Sequence, residues 1–209
     1  MPRRLTAVLL TALLALAAAA SPAAASDRCS PRGSKTVKQT ASVRVFSVQR
    51  KRESRVYGCL RRTGRPVRLA TTFDDSGLNS IRLDTVLIAG TSVALTTVGF
   101  EDLGPEGAEF EGLTIADLKR GGRVYRIGIS TNDEDQYDGF AKVVLRRDGA
   151  AAWIVAGNGD YDEVDVLGAT DERATPVAYA KGIDERSLAL GGDGVTWTQN
   201  GATRTAAIP

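Results

Sequence analysis

Acidic side chains gather between the apolar segments of this sequence, and their oxygens are the groups best placed to do chemistry. They occur at 74–75, 101–102, 133–138 and 160–163. Oxygen-rich loops bind Ca²⁺, and Asn158, Asp160 and Asp162 have the alternate-residue spacing of a calcium loop. However, Glu163 occupies the place of the sharp-turn glycine, and the twelfth position is Ala169 rather than a bidentate Glu. We therefore predict polar turns, with Asn158, Asp160 and Asp162 as a calcium alternative, and no cofactor.

The sequence contains no histidine. This excludes Ser-His-Asp and Cys-His nucleophiles, histidine general bases and imidazole-ligated zinc. Walker A, GxSxG and SxxK motifs are absent too. Paired carboxylates could still serve a glycoside hydrolase, but such a site needs aromatic rings against the sugar, and Trp153 and Trp197 fall at predicted core positions. We predict a protein that is not an enzyme, with a carboxylate-based glycoside hydrolase as an alternative.

The first 25 residues have the pattern of a secretory signal peptide. Arg3 and Arg4 precede an apolar run at 5–20, and the small residues of 21–25 suit signal peptidase. The run is shorter than the roughly 20 residues that cross a bilayer. We therefore predict a signal peptide at 1–25, a secreted protein, and no membrane span after cleavage.

Two cysteines, Cys29 and Cys59, are the whole cysteine content of the chain. In an exported protein the simplest interpretation is one intramolecular disulfide. Such a bond would tie the N-terminal segment at 26–35 to the first structured unit of a single domain at 36–209.

Basic residues concentrate near the start of the predicted mature chain. Of 27 Lys and Arg residues two lie within 1–25, so 25 basic residues face 25 acidic ones in the remainder. Residues 27–70 nevertheless carry a large positive excess and 71–209 a matching negative one. This favours a basic surface that holds an anionic polymer, or one that faces the acidic half of its own chain. The candidate binding residues are Arg50, Lys51, Arg52, Arg61, Arg62, Arg65 and Arg68. No aromatic interleaving marks a nucleic-acid site, so we expect none.

The body of the chain repeats a hairpin pattern. Segments 36–48, 86–98, 144–155 and 188–197 each contain an apolar strand, a turn rich in Gly, Asp, Thr or Ser, and a second strand. The equivalent apolar site of the second strand is Val45, Leu95, Trp153 or Trp197, and we predict that it faces a core.

A second hairpin pattern follows the first. Segment 60–69 matches 118–127, with Gly64 or Gly122 to supply the positive φ of a tight turn, and 164–179 is a further copy. The last hairpin continues through Asn200-Gly201, a type I′ signal, to residues 202–208. Each repeat thus predicts four short antiparallel strands.

These repeats resemble the strand-turn-strand elements of WD40-like and TolB-like β-propeller families, on segments 115–123 and 92–95 and on the repeat period across 36–208. The resemblance implies an all-β, propeller-like array of three to four four-stranded antiparallel blades. The alternative is a β-sandwich or irregular barrel built from the same hairpins.

The resemblance also implies a function, because propellers of this kind mostly bind partners on their end faces. We therefore expect a secreted, non-enzymatic binding module for an extracellular or envelope partner, either a protein or an anionic envelope polymer. An open array would leave sheet edges exposed, so a structural, self-associating protein and a homo-oligomer are also expected possibilities.

Overall fold

The structure, a computed structural model, describes residues 28–75, 79–102, 107–120, 122–130, 137–157 and 161–209. The predicted signal peptide at 1–25 lies outside these residues. Among the residues described, no helix is long and apolar enough to cross a membrane.

Fifteen β-strands make up the described fold, and all of their pairings are antiparallel. They are β1 (Ser34–Gln39), β2 (Val43–Arg50), β3 (Glu53–Leu60), β4 (Arg65–Asp75), β5 (Asn79–Ala89), β6 (Ser92–Glu101), β7 (Ala108–Asp117), β8 (Arg123–Ser130), β9 (Tyr137–Leu145), β10 (Ala151–Gly157), β11 (Tyr161–Leu167), β12 (Thr175–Lys181), β13 (Ala189–Gly191), β14 (Gly194–Gln199) and β15 (Ala202–Ala207). The predicted all-β antiparallel class is confirmed.

Neighbouring strands in the sequence pair in space, so the chain forms a series of up-and-down meanders. The strand orders are β1 to β8 in one sheet, β12-β11-β10-β9 in a second and β13-β14-β15 in a third. We define β1–β4, β5–β8, β9–β12 and β13–β15 as the first to fourth meanders. The predicted hairpin turns form as expected: Gly64 and Gly122 have φ of 62° and 83°, and Asn200 and Gly201 have 51° and 74°.

Hydrophobic clusters join the meanders face to face in sequence order. Strand residues alternate between two faces, so one meander can pack on both sides. In the second meander, Val93 and Leu95 belong to a cluster with the first meander, whereas Ala94 belongs to a cluster with the third. In the third meander, Trp153 faces the second meander and Ile154 the fourth. Val45, Leu95, Trp153 and Trp197 are all buried, as predicted.

The prediction of separate four-stranded sheets differs from the structure in two respects: the fourth meander has three strands among the described residues, and the first two meanders are joined. β4 and β5 are 11 residues each, and their tips pair through Phe73–Ile81, Asp74–Ser80 and Asp75–Asn79. The first two meanders therefore form one eight-stranded sheet by hydrogen bonding, although their other halves separate and pack face to face. Within the described residues none of the sheets closes on itself.

The N-terminal segment is fixed by a disulfide and a buried arginine. Cys29 and Cys59 are bonded, as predicted, and both are fully buried. The Arg44 guanidinium donates hydrogen bonds to the Cys29 carbonyl and to Ser30 Oγ at 3.0 Å, and it lies 5.1 Å from the Phe46 ring centre. Burial, with the nearby Arg61 charge, lowers the pKa of Arg44. These contacts hold the segment on β2 and β3.

Candidate functional site

The turns that follow the first and third strands of the meanders lie at one end of the array. Contacts between consecutive meanders establish this: Ser42 Oγ donates to the Gly90 carbonyl at 3.4 Å, Arg120 Nη1 to the Ala169 carbonyl at 3.2 Å, and Arg146 Nη1 to the Asp193 carbonyl at 3.4 Å. We call this end, which contains the turns at Ser42, Gly64, Gly90, Arg120, Arg147, Asp171 and Asp193, the arginine end.

Three basic doublets occupy the arginine end, one in each of three neighbouring turns. They are Arg61-Arg62 between β3 and β4, Lys119-Arg120 between β7 and β8, and Arg146-Arg147 between β9 and β10. The backbone of Arg61 donates to the Ser42 carbonyl at 2.8 Å, and that turn contacts Gly90. A Cβ on Gly90 would lie 3.1 Å from the Arg147 carbonyl. The doublets of the first and third meanders are therefore separated by one turn of the second.

Two of these basic side chains, Arg120 and Arg146, pair with nearby carboxylates, whereas the others do not pair with a carboxylate of the described residues. Arg120 lies 3.5 Å from Asp117, and Arg146 pairs with Asp148 two residues away. Arg62, Lys119 and Arg147 are exposed, and no carboxylate of the described residues lies within ion-pair distance of them. Arg61 Nη2 donates to Gln39 Oε1 at 2.7 Å. The arginine end therefore presents cations whose charge faces solvent.

The remaining predicted basic residues are divided between other places. Arg50, Lys51 and Arg52 lie in and beside the turn between β2 and β3, at the opposite end of the first meander. Arg52 forms an exposed ion pair of 3.1 Å with Asp75. Arg68 lies within β4, and its carbonyl accepts a hydrogen bond from Arg126 at 3.4 Å. Arg65, which begins β4 directly after the Gly64 turn, belongs with the arginine end. Of the seven predicted residues, the structure therefore brings only Arg61, Arg62 and Arg65 together at the arginine end.

The calcium candidates are only partly within the described chain. Asn158 and Asp160 lie outside it. Asp162 is buried, and its Oδ1 accepts a hydrogen bond from the Gly157 backbone at 3.2 Å, so it closes the hairpin between β10 and β11. No group of three or more metal-ligating side chains was found in the part of the chain that the structure describes.

A carboxylate pocket lies between the second and third meanders. Glu163 and Asp165 are two residues apart on β11, so both side chains are on the same face of the strand, about 7 Å apart along it. They line a cavity of about 300 Å³ that β8 covers through Tyr125, Ile127 and Ile129. Sequence reasoning considered Glu163 only as part of a calcium loop and did not single out Asp165.

The environment of this pocket shifts the pKa values of its members. Burial, reinforced by the negative charge of Glu163 and opposed by the Trp153 indole, raises the pKa of Asp165 to about 6. Burial and then the hydrogen bond to Glu163 raise the pKa of Tyr137 to about 12, and the Tyr137 hydroxyl donates to Glu163 Oε2 at 2.9 Å. Glu163 is thus oriented by a hydroxyl, whereas Asp165 is a buried carboxylate directed at a cavity.

Comparisons of the chain with protein-family models, with curated proteins and with solved structures found no match. The function is therefore argued from the residues of the arginine end and of the carboxylate pocket.

Proposed function

We propose that this protein is a secreted, non-enzymatic binding module that holds an anionic polymer of the extracellular space or cell envelope at its arginine end. Secretion rests on the signal-peptide pattern at 1–25, and the buried disulfide is compatible with an oxidising compartment. The stacked meanders support an open, propeller-like array as its scaffold, as in the WD40-like and TolB-like resemblance.

One observation carries this proposal: three basic doublets occur in three turns at the arginine end, and Arg62, Lys119 and Arg147 are exposed without a carboxylate partner among the described residues. A polymer with regularly spaced anions could contact several of these turns together. Multiple weak contacts on one chain add to a useful affinity, and their electrostatic part falls as salt screens the charges.

Co-sedimentation of residues 26–209 with isolated cell envelopes tests the proposal. The protein should pellet at about 50 mM salt and be released at about 500 mM, a range over which the screening length falls from about 14 Å to about 4 Å. Arg61→Glu with Arg62→Glu should abolish pelleting at low salt. Arg50→Glu with Lys51→Glu changes the net charge equally at the opposite end and should leave pelleting unchanged.

Other results would contradict the proposal. If both double variants lose binding equally, net charge rather than the arginine end attracts the polymer. If the wild-type protein stays soluble at both salt concentrations, an anionic envelope polymer is not the partner. Light scattering at high concentration tests the alternative that the protein self-associates. A molar mass that stays at the monomer value would exclude a structural assembly.

A further inference from the structure

Exposed tyrosines extend the carboxylate pocket across β11 and β12. Tyr179 is 63% exposed and Tyr161 43% exposed, which is unusual for large rings. Their rings stack with centres 5.3 Å apart and an angle of 18° between the planes. Tyr179 is the cross-strand partner of Glu163, and Tyr161 precedes Glu163 by two residues on the same strand. The stacked tyrosines and the carboxylates are therefore neighbours on one face of the third meander.

The stacked pair is held in place, and Tyr179, the more exposed of the two rings, has apolar surface open to solvent. The Lys181 ammonium lies 4.9 Å from the Tyr161 ring centre, where its charge interacts with the ring. Aromatic rings present a large contact area at small cost in side-chain entropy, and a polar edge remains available for hydrogen bonds. Such a surface suits a flat ligand that has an apolar face and polar edges, as a sugar ring has.

Asp165 presents a carboxylate to the cavity. The residue is only 7% exposed, yet it lines the cavity. The Trp153 indole faces it from the cross-strand position, and the buried Nε1 of Trp153 makes no well-formed hydrogen bond within the described part of the chain. Carboxylate oxygens only accept hydrogen bonds when ionised, so Asp165, which lines the cavity, can accept from a donor that enters it. Hydroxyl groups can donate to Asp165 and Glu163 together.

The charge around the cavity restricts the class of ligand. Of the described residues, Glu163, Asp165 and Glu172 line the cavity with a single base, Arg173, so an anion is repelled, whereas hydroxyl groups can donate to the carboxylates. The cavity of about 300 Å³ is at the lower limit for small-molecule sites, which suits one ring in the pocket with the rest of the ligand outside. We propose that this face of the third meander binds a neutral oligosaccharide, with one sugar stacked on the outer face of the Tyr179 ring and the next hydrogen-bonded to Glu163 and Asp165.

Affinity electrophoresis of residues 26–209 in native gels tests this proposal. The probes are a soluble β-glucan, an α-mannan and a xylan dissolved in the gel. At least one should retard the wild-type protein, and Tyr179→Ala should weaken the dissociation constant for that polymer about tenfold, as the loss of one aromatic contact predicts. Tyr179→Phe keeps the ring and should bind nearly as the wild type does, whereas Asp165→Asn should bind more weakly.

Controls separate this site from folding and from the arginine end. Leu190→Ala removes another exposed apolar side chain, 39% exposed and on β13, and should leave retardation unchanged. Arg61→Glu with Arg62→Glu should lose envelope binding and keep the oligosaccharide. The proposal is overturned if none of the three polymers retards the wild type, or if Tyr179→Ala and Asp165→Asn, shown by thermal unfolding to be folded, are retarded as strongly as the wild type.

Discussion

Trp153 and Asp165 face each other as cross-strand partners on β10 and β11, with the indole fully buried and the carboxylate nearly so. The pair lies where the second and third meanders meet, beside Tyr125, whose ring centre is 5.9 Å from that of Trp153. A carboxylate in this position costs stability when it ionises, because the surroundings do not solvate its charge.

Asp165→Asn should therefore change the dependence of stability on pH. The folded-state pKa of about 6 exceeds the ordinary value, so the native state binds more protons than the unfolded state between about pH 4 and pH 6. Stability falls as pH rises through this window, by up to about 2–3 kcal/mol from this group. The variant should be more stable than the wild type at pH 7 and equally stable at pH 4, as measured by urea unfolding. An equal difference at both pH values would contradict the assignment.

The disulfide should provide a large part of the stability of the first meander. Cys29 and Cys59 are 30 residues apart, and loop entropy predicts a loss of about 3–4 kcal/mol when both are replaced by serine. Thermal unfolding of the double variant measures this loss. Reduction of the wild type should have the same effect, and a reducing agent should not change the melting temperature of the variant.

Arg44→Met should release the N-terminal segment without opening the disulfide. The variant keeps much of the apolar stem but removes the donors to Cys29 and Ser30. We expect faster proteolytic cleavage between Cys29 and Thr36, because this short segment loses its anchor on β2. Cleavage at the wild-type rate would show that the disulfide alone fixes the segment.

Gly99 on β6 should resist substitution, because a Cβ there would lie 2.1 Å from the ring of Phe110, its cross-strand partner. Gly99→Ala should lower the free energy of unfolding by about 1–3 kcal/mol as the ring is displaced. Gly128→Ala on β8 is the matched control: its Cβ would meet only the Glu111 carbonyl at 3.7 Å, and it should be neutral or stabilising. Similar losses in both variants would mean that loss of glycine, rather than the clash, is responsible.

Gly201→Ala isolates the backbone cost of the last hairpin. Gly201 has a φ of 74°, and no atom of the described residues lies within 4 Å of a Cβ placed there, so the left-handed conformation accounts for the penalty. The expected loss is about 1 kcal/mol in urea unfolding. Gly201→Asn should lose less, since asparagine tolerates this conformation better.

Local signals in the sequence predicted the hairpins. Gly64, Gly122 and Asn200-Gly201 marked turns through a backbone conformation that few other residues adopt, and the apolar site shared by the second strands of the hairpins placed Trp153 and Trp197 in the core. These features depend on neighbours in the chain. The pairing of β4 with β5 depends instead on how far the tips of these two strands extend beyond the packed part of their meanders, which no local sequence pattern encodes.

The carboxylate and tyrosine face was missed for a related reason. The spacing of Tyr161, Glu163 and Asp165 could have placed them on one face of a strand, had the strand been assigned from 161 rather than from 164. The position of Tyr179 depends on the register of β11 and β12, which shifts between Val164 and Asp165. Tyr125 and Tyr137 come from other strands, so only the packing of the meanders brings them to the pocket.

The order of the layers has a consequence for how the chain acquires its structure. Each of the three large clusters joins two consecutive meanders, so every packing surface becomes available in the order in which the polypeptide is made. A chain that emerges N-terminus first can complete the first interface before the third meander exists. Folding can then advance by one meander at a time, and the short fourth meander is the last to pack, on the third meander.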